Sequence, residues 1–199
     1  YVNSPLDTIT IIKHRKNPSV EKRLNLLKNN ELALKEIKSN LWNYYPDCTL
    51  NSINWITNSA IFNFFNKRNN KKFSTSIFKA IKELEFDNYI LFNDNEIFKG
   101  FYLKEYLRPS LSLYYSRDFM VGVDYWKKHG LILEPLLIQK SDVCVCNSEY
   151  LVQYCRKYNP NTYNVGQGCD FEDYKDMNCA RPDDLLSVPG KIIGYVGSL

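Results

Sequence analysis

Apolar residues recur along the chain as short runs, separated by longer segments with helical spacing. The short runs are rich in β-branched, aromatic and cysteine side chains and are followed by turn residues, which favours buried strands. They occupy residues 89–92, 111–115, 143–146 and 163–165. Residues 34–45, followed by Pro46-Asp47, predict a further strand and turn.

The segments between these runs place apolar residues on one face of a helix. They predict helices over residues 21–27, 53–66, 73–86, 98–107, 131–139 and 149–157. The basic run 67–72 is expected to separate the second helix from the third. Pro135 fits the first position of the fifth helix with Glu134 as its cap, and Ser148 fits the N-cap of the last. His129 is expected at the surface.

Short strands that alternate with helices predict an α/β fold with a Rossmann-like, doubly wound parallel sheet. In such a sheet, ligands bind in the loops at the carboxyl ends of the strands. This rule selects the loops after Val2, Phe92, Tyr115, Cys146, Val165 and Val196.

The end of the chain, residues 191–199, is an apolar run that closes on Gly197-Ser198. This pattern is typical of the first strand and glycine turn of a nucleotide-binding βα unit. The polar stretch 172–190 contains two prolines and predicts a linker. We therefore expect one domain over residues 1–171 and the first strand of a truncated second domain. An unpaired strand of this kind also favours a homodimer.

Size and composition are those of a globular protein, with 199 residues, of which 44% are apolar and 15% aromatic. No stretch approaches the ~20 apolar residues of a membrane-spanning helix. The six cysteines show no C-x-x-C spacing, so no metal site is indicated. Cys144 and Cys146 fit buried thiols on one face of a strand. Free thiols of this kind fit a reducing, cytoplasmic compartment.

Charge is unevenly distributed around the net value of +4. Residues 1–85 carry a net charge of +7, whereas residues 86–199 carry −3. A basic half suggests an anionic partner or membrane surface. Nucleic acid is not expected as a partner, because the positive charges are scattered among acidic ones.

An aromatic and basic segment lies within the basic half. Four phenylalanines flank four cations there: Phe62, Phe64, Phe65 and Phe73 around Lys67, Arg68, Lys71 and Lys72. Such a helix end predicts peripheral contact with a membrane. The alternative is a core helix with a solvated basic end.

Five short motifs follow one another in the second half of the chain. They are Tyr114-Tyr115-Ser-Arg-Asp118-Phe119, Leu133-Glu134 together with Lys140-Ser-Asp142-Val143, Asn147-Ser148-Glu-Tyr-Leu151, Val165-Gly-Gln-Gly168-Cys-Asp170-Phe and Ile193-Gly194-Tyr-Val-Gly197-Ser-Leu. This series resembles the N-terminal half of retaining GT-B glycosyltransferases of the GT4 (glycosyl transferases group 1) type, above all bacterial enzymes of surface-polysaccharide synthesis. The resemblance covers residues 87–199 well and the first 86 only loosely.

The resemblance implies two Rossmann-like domains that face each other across a cleft. The N-terminal domain would bind a glycan or lipid-linked glycan acceptor, at the inner face of the cell membrane. The C-terminal domain would bind a UDP- or GDP-sugar and transfer its hexosyl unit with retention and without a metal. The family's basic pair and Glu-x7-Glu motif would follow Leu199, so this chain alone is expected to be inactive.

Two neighbouring residues are the first site candidates. Asp118 matches a family position that faces the transferred sugar or the acceptor hydroxyl, where a carboxylate can orient or partly deprotonate that hydroxyl. Arg117 could meet a diphosphate or an anionic acceptor. The alternative for both is a salt bridge within the loop.

The remaining site candidates also follow from the resemblance. Glu134 recurs in the family pattern and is either a residue of the cleft or the helix cap described above. Gln167 and Gly168 match a loop that lines the cleft, and Asn3 and Ser4 match an acceptor loop, although the family often has glycines there. Gly197 would bring backbone N–H groups close to the donor diphosphate. The rival interpretation is a non-catalytic scaffold or regulatory module, since doubly wound domains serve many functions.

Overall fold

A computed structural model describes residues 1–29, 33–168 and 180–192 of the chain. The backbone divides into two compact units, Tyr1–Gly166 and Gln167–Leu199. All the regular strands and the long helices described below belong to the first unit.

The first unit begins with short elements and continues as a regular alternation of strands and helices. Its strands are β1 (Leu6–Asp7), β2 (Ala33–Lys38), β3 (Leu41–Tyr45), β4 (Thr49–Leu50), β5 (Ile90–Asp94), β6 (Leu111–Ser116), β7 (Val143–Cys146) and β8 (Thr162–Asn164). Its helices are α1 (Thr8–His14), α2 (Pro18–Lys28), α3 (Ser59–Glu83), α4 (Leu103–Leu107), α5 (Asp124–Lys140) and α6 (Glu149–Arg156).

The largest sheet contains β5, β6, β7 and β8, which lie side by side in chain order and are all parallel. The predicted α/β class with a parallel sheet is therefore confirmed. This sheet is compatible with a Rossmann-like fold. The described strands form three sheets and the order in the largest does not reverse, so the doubly wound order stays a prediction. β1 pairs in parallel with β4, and β2 forms an antiparallel hairpin with β3.

One face of the large sheet carries the core. Tyr114, Cys144 and Cys146 point from β6 and β7 into an apolar cluster with residues of α5 and α6. Both cysteines are buried free thiols, as the sequence predicts. The opposite face is open at its edge strands β5 and β8, where Phe92 and Tyr163 are each 57% exposed.

Helix α3 is continuous, so the predicted break at residues 67–72 is wrong. Its inward face runs through the basic stretch and includes Phe62, Asn66, Asn70 and Phe73, which are all buried. Lysine and arginine are good helix formers, and their charges point to solvent while every third or fourth residue packs inward. The helix begins after the N-cap Asn58, whose side chain accepts hydrogen bonds from two backbone N–H groups. The predicted helix over residues 53–66 therefore starts too early.

The predicted strand over residues 34–45 is instead the hairpin β2–β3. Asn40, with a φ of 62°, lies in the two-residue turn between the strands. Asparagine tolerates this left-handed conformation better than most residues, which explains why the chain reverses there.

Helix α5 begins at Asp124, eleven residues before Pro135, so Pro135 is not at its first position and Glu134 is not its cap. A proline inside a helix leaves one carbonyl without its usual N–H partner. Glu134 is instead buried among tyrosines. Ser148 caps α6 as the sequence predicts, because its hydroxyl accepts a hydrogen bond from the N–H of Leu151.

In the second unit, the described part contains one turn of 3-10 helix, Asp183–Leu185. Arg181 donates hydrogen bonds to the carbonyl oxygens of Val188 and Gly190 at 2.9 and 2.7 Å. Most of the predicted final strand, including Gly197, and residues 172–179 of the predicted linker lie outside the described residues. The homodimer expected through that strand therefore stays a prediction.

Candidate functional site

The carboxyl edge of the large sheet brings together charged residues at the end of β5 and directly after β6. The Arg117 guanidinium lies 3.5 Å from Asp94 and 3.4 Å from Asp118. All three side chains are about half exposed, so these ion pairs contribute little to stability and are free to exchange partners. The structure therefore contains the salt bridge within the loop that the sequence analysis gave as the alternative. The same arrangement of Arg117 and Asp118 is also compatible with a binding site. Asp94 is a third member that the sequence analysis missed.

Asn95 connects this loop to the interior. Its Nδ2 donates to the carbonyl oxygen of Asp118 at 3.2 Å, and its Oδ1 accepts from the Tyr114 hydroxyl at 3.1 Å. Asn95 has a φ of 55°, a left-handed conformation that is uncommon outside glycine and asparagine. The position of Asp118 is therefore set from inside the fold.

The N-terminal candidates lie elsewhere in the first unit. Asn3 is held by β3, since its Nδ2 donates to the Asn43 side chain at 2.5 Å and to the Tyr44 carbonyl at 3.0 Å. The Ser4 carbonyl accepts from Arg23 at 2.5 Å, and the Ser4 hydroxyl accepts from Lys99. These bonds give Asn3 a structural role in joining the N-terminus to β3. Ser4 contacts Lys99 at the rim of the cavity described next.

A cavity of about 620 Å³ opens beside α3 and the start of α5. Aromatic and polar side chains both line it, among them Asp7, Ser52, Trp55, Asn66, Phe98, Lys99, Tyr125 and Trp126. Trp55 is 70% exposed, and its indole N–H donates to the Ser52 carbonyl at 2.7 Å, which fixes the ring at the rim. A fixed, exposed indole offers an apolar platform at the mouth of a polar cavity.

One buried amide in the wall of the cavity lacks a partner. The Nδ2 atom of Asn66 makes no hydrogen bond to any described residue, whereas the Asn54 side chain interacts with the Tyr125 hydroxyl. Asn66 is only 1% exposed, and its Oδ1 lies 3.1 Å from the Nδ2 atom of Asn70. A buried donor left unpaired costs about 1–3 kcal/mol, so such groups are rare unless something else satisfies them.

Asp7 contributes a fixed carboxylate to the same cavity. It caps α1 by accepting from the Thr10 N–H at 3.0 Å, and it also accepts from the hydroxyls of Ser52 and Thr10. Burial opposes ionisation of this group, but the hydrogen bonds from Ser52 and Thr10 outweigh it and hold the pKa of Asp7 below 3.8. Asp7 is therefore ionised at neutral pH and presents a permanent acceptor.

His129 is buried, so the predicted surface position is wrong. Its Nε2 donates to the Ile56 carbonyl oxygen at 2.8 Å, and its ring stacks on Phe62 with 3.7 Å between centroids. The histidine therefore joins α5 to α3 and to the segment before it. No catalytic role follows from this position.

The aromatic and basic segment is divided between the core and the surface. Phe62 and Phe73 are buried, whereas Phe64 is 64% exposed. The basic side chains remain outside. Four cations line a groove of about 540 Å³ together with Thr49, Thr75 and Ser76, and we call it the basic groove: Arg68, Lys71, Lys72 and Lys79. Lys79 pairs with Asp47, but the other three make no ion pair with any described residue. Two of the four predicted membrane-contacting aromatics are thus excluded.

Gln167 and Gly168 belong to the second unit and are exposed. A side chain added at Gly168 would meet no atom within 4 Å, so local crowding does not require glycine there. Gly166, in the first unit, has a φ of 68° and does require conformational freedom. The predicted donor contact, Gly197, lies outside the described residues.

Within the described ranges, no group of three or more His, Cys, Asp or Glu side chains could hold a metal ion. The helices in those ranges include none that is both long and apolar enough to cross a membrane. A scan against models of known protein families and a search of curated proteins find no match. The class defined by the fold is therefore an α/β protein with a four-stranded parallel sheet, a charged strand edge and a separate polar–aromatic cavity.

Proposed function

We propose that this chain is the acceptor-binding part of a retaining GT-B glycosyltransferase, which moves a hexosyl unit from a UDP- or GDP-sugar to a glycan or lipid-linked glycan. The cavity beside α3 is the observation that carries the proposal. The ordered series of motifs supports it independently.

The chemistry of the cavity suits a carbohydrate. A sugar ring offers an apolar C–H face and a rim of hydroxyl groups, which can donate and accept hydrogen bonds. Trp55, Tyr125 and Trp126 supply apolar surfaces with polar edges, the Asp7 carboxylate accepts, and the unpaired Asn66 amide donates. A volume of about 620 Å³ is within the usual range for small-ligand sites, so one to a few sugar rings fit.

The strand edge would act on the acceptor hydroxyl. The chain passes from Asp118 through a turn of 3-10 helix, Met120–Gly122, into the residues of α5 that line the cavity. In the proposed reaction, Asp118 orients the attacking hydroxyl. The Arg117 guanidinium exchanges its contact with Asp94 or Asp118 for a phosphate oxygen. No metal is required in this scheme, and the donor would be held by the second domain.

Loss of the Trp55 ring should weaken glycan binding without unfolding the protein. Trp55→Ala is expected to reduce affinity for oligosaccharides by about tenfold, the effect of losing ~1.4 kcal/mol of ring contact. Isothermal titration with a panel of oligosaccharides measures this. Phe92→Ala is the matched control, because Phe92 is a similarly exposed ring on the open face of the large sheet.

Other outcomes of that titration separate the alternatives. If Asp118→Asn abolishes binding and Trp55→Ala does not, the acceptor lies at the strand edge and the role of the cavity is refuted. If no oligosaccharide binds and a longer chain that includes the second domain turns over no UDP- or GDP-sugar, the scaffold interpretation replaces the enzyme.

We further propose that the basic groove contacts anionic lipid during this reaction. Each lysine near an anionic surface contributes about 1 kcal/mol. The double variant Lys71→Gln/Lys72→Gln should therefore bind vesicles that contain phosphatidylglycerol about 30-fold more weakly. Raising the salt concentration should weaken binding of the unchanged protein in the same direction, because salt screens exposed charges.

Sedimentation with vesicles measures this, and Lys127→Gln/Lys157→Gln is the control. That pair removes the same charge from exposed lysines of α5 and the end of α6. An equal loss in both double variants would show that only net charge matters and would contradict a contact specific to the basic groove.

A further inference from the structure

Glu134 is a buried carboxyl group with two tyrosine partners. It is 1% exposed and lies on α5. Its Oε1 lies 2.8 Å from the Tyr114 hydroxyl, and its Oε2 accepts from the Tyr154 hydroxyl at 3.1 Å. No described cation forms an ion pair with it. An ionised Glu134 carboxylate would therefore lack a counter-charge, and its hydrogen-bond partners bear on whether it carries a proton.

The orientation of the Asn95 side-chain amide determines which of its atoms faces the Tyr114 hydroxyl. The Asp118 carbonyl oxygen can only accept a hydrogen bond, so the Asn95 atom that faces it at 3.2 Å must be the donor, Nδ2. The other amide atom, which faces the Tyr114 hydroxyl at 3.1 Å, is therefore the acceptor Oδ1. The amide cannot be reversed without placing two acceptors against each other.

Counting hydrogens then shows which form of Glu134 allows both contacts of Tyr114 to be hydrogen bonds. The Tyr114 hydroxyl has one hydrogen but lies within hydrogen-bond distance of two oxygens, Asn95 Oδ1 and Glu134 Oε1. If that hydrogen goes to Asn95, the contact with Glu134 is a hydrogen bond only when Oε1 itself carries a proton and donates it. The complete chain of donors runs from Glu134 to Tyr114, to Asn95 and to the Asp118 carbonyl.

We propose that Glu134 is a positioning residue which, in its protonated form, holds the Arg117–Asp118 loop in place through Tyr114 and Asn95. When Glu134 loses its proton, the carboxylate draws the Tyr114 hydrogen to itself. Asn95 Oδ1 then loses its donor, and the amide that held the Asp118 carbonyl is released. The proton moves from Glu134 to water, and no other bond changes.

The surroundings of Glu134 favour the neutral form. Burial raises the pKa of this carboxyl above its ordinary value of 4.5, although the hydrogen bonds from Tyr114 and Tyr154 partly oppose the rise. The titratable groups that face it are Tyr114 on β6 and Tyr154 and Cys155 on α6. Burial and the nearby Glu134 carboxyl raise the pKa of both tyrosines, so these groups stay neutral in the range where Glu134 titrates.

Nuclear magnetic resonance tests the chain of hydrogen bonds directly. In the unchanged protein, the Glu134 carboxyl carbon should titrate above pH 4.5, and the backbone amides of Asp118 and Phe119 should shift with the same midpoint. Protection factors of the loop amides, which compare exchange with that of an unfolded chain at the same pH, should fall about five- to tenfold above that midpoint, as for the loss of one hydrogen bond.

Three variants separate positioning from a merely structural role. Glu134→Gln presents an N–H to Tyr114 at every pH, so the loop signals should stay at their low-pH positions. Asn95→Gly keeps the left-handed backbone but breaks the chain, so the loop signals should stop following Glu134. Tyr154→Phe removes a partner outside the chain and should leave the coupling between Glu134 and the loop intact.

Stability provides a second measurement with a defined sign. Because the pKa of Glu134 is raised in the folded state, its contribution is present below pH 4.5 and is lost as pH rises through the folded pKa. As pH rises, the unfolding midpoint of Glu134→Gln should therefore increase relative to that of the unchanged protein. Equal pH profiles, or loop signals that titrate identically in Glu134→Gln, would overturn the inference. The loop's use in catalysis rests on the proposed function, whereas these readouts need neither glycan nor donor.

Discussion

Replacing Phe62 by alanine should destabilise the first unit by about 3–5 kcal/mol, which is a large part of the stability of a typical domain. Phe62 is fully buried. It stacks on His129 with 3.7 Å between centroids and meets Phe98 edge-on at 5.4 Å. Its removal leaves a void where α3, α5 and the loop after β5 meet, and it strips one face of His129. Urea unfolding followed by circular dichroism measures the loss.

Phe64 is the matched control for this prediction, because it lies two residues away on the same helix and is 64% exposed. Phe64→Ala should change the free energy of unfolding by no more than about 0.5 kcal/mol. If the two variants lose similar stability, α3 does not pack with the face described above. If Phe62→Ala loses vesicle binding without losing stability, Phe62 lies at the surface and contacts the membrane.

Sequence patterns predict the second half of the fold well and the first half poorly. The structure confirms all four strands predicted for the large sheet. Each is a short apolar run, which can be recognised from adjacent residues in the sequence alone. The basic run 67–72 has the local appearance of a loop. Only the three-dimensional fold shows that Asn66, Asn69 and Asn70 face inward from it, where Asn70 bonds to Phe98 and Tyr102 from distant parts of the chain.

The candidate site shows the same division. Arg117 and Asp118 follow directly from the position of β6, and the structure places them together at its carboxyl end. Asp7 is far from Trp55 and Asn66 in the chain, and the three meet only because β1 pairs with β4 and α3 packs against β4 and the residues that follow it. One signal was present in the sequence: asparagines at positions 66, 69 and 70 share the helical face of Phe62 and Phe73, where apolar residues are the rule.

Replacing Asn70 by aspartate should cost about 3–5 kcal/mol at neutral pH, although the side chain keeps its shape. Asn70 is fully buried. Its Nδ2 donates to the carbonyl oxygens of Asn66 and Phe98, each at 2.8 Å, and its Oδ1 accepts from the Tyr102 N–H at 2.9 Å. A carboxylate would set a negative oxygen against these two carbonyls.

The sign of the pH dependence follows from that arrangement. Burial and the carbonyl oxygens favour the protonated form of the new carboxyl group, so its pKa is raised in the folded state. The loss of stability in Asn70→Asp should be small below pH 4 and should grow as pH rises. Urea unfolding at pH 4 and pH 7.5 measures this, with the exposed Asn63→Asp on the same helix as control. Equal losses for both variants at pH 7.5 would contradict the buried position of Asn70.

The same side chain connects the core to the proposed function. Asn70 Nδ2 also lies 3.1 Å from Asn66 Oδ1, which fixes the Asn66 amide with its own Nδ2 unpaired at the cavity wall. In Asn70→Asp the Asn66 amide would turn its Nδ2 toward the new carboxylate and away from a ligand. At a pH and temperature where this variant is still folded, its oligosaccharide affinity should therefore fall, whereas Asn63→Asp should bind as the unchanged protein does. An Asn70→Asp protein that is folded and binds normally would separate the helix core from the cavity and remove Asn66 from the proposed site.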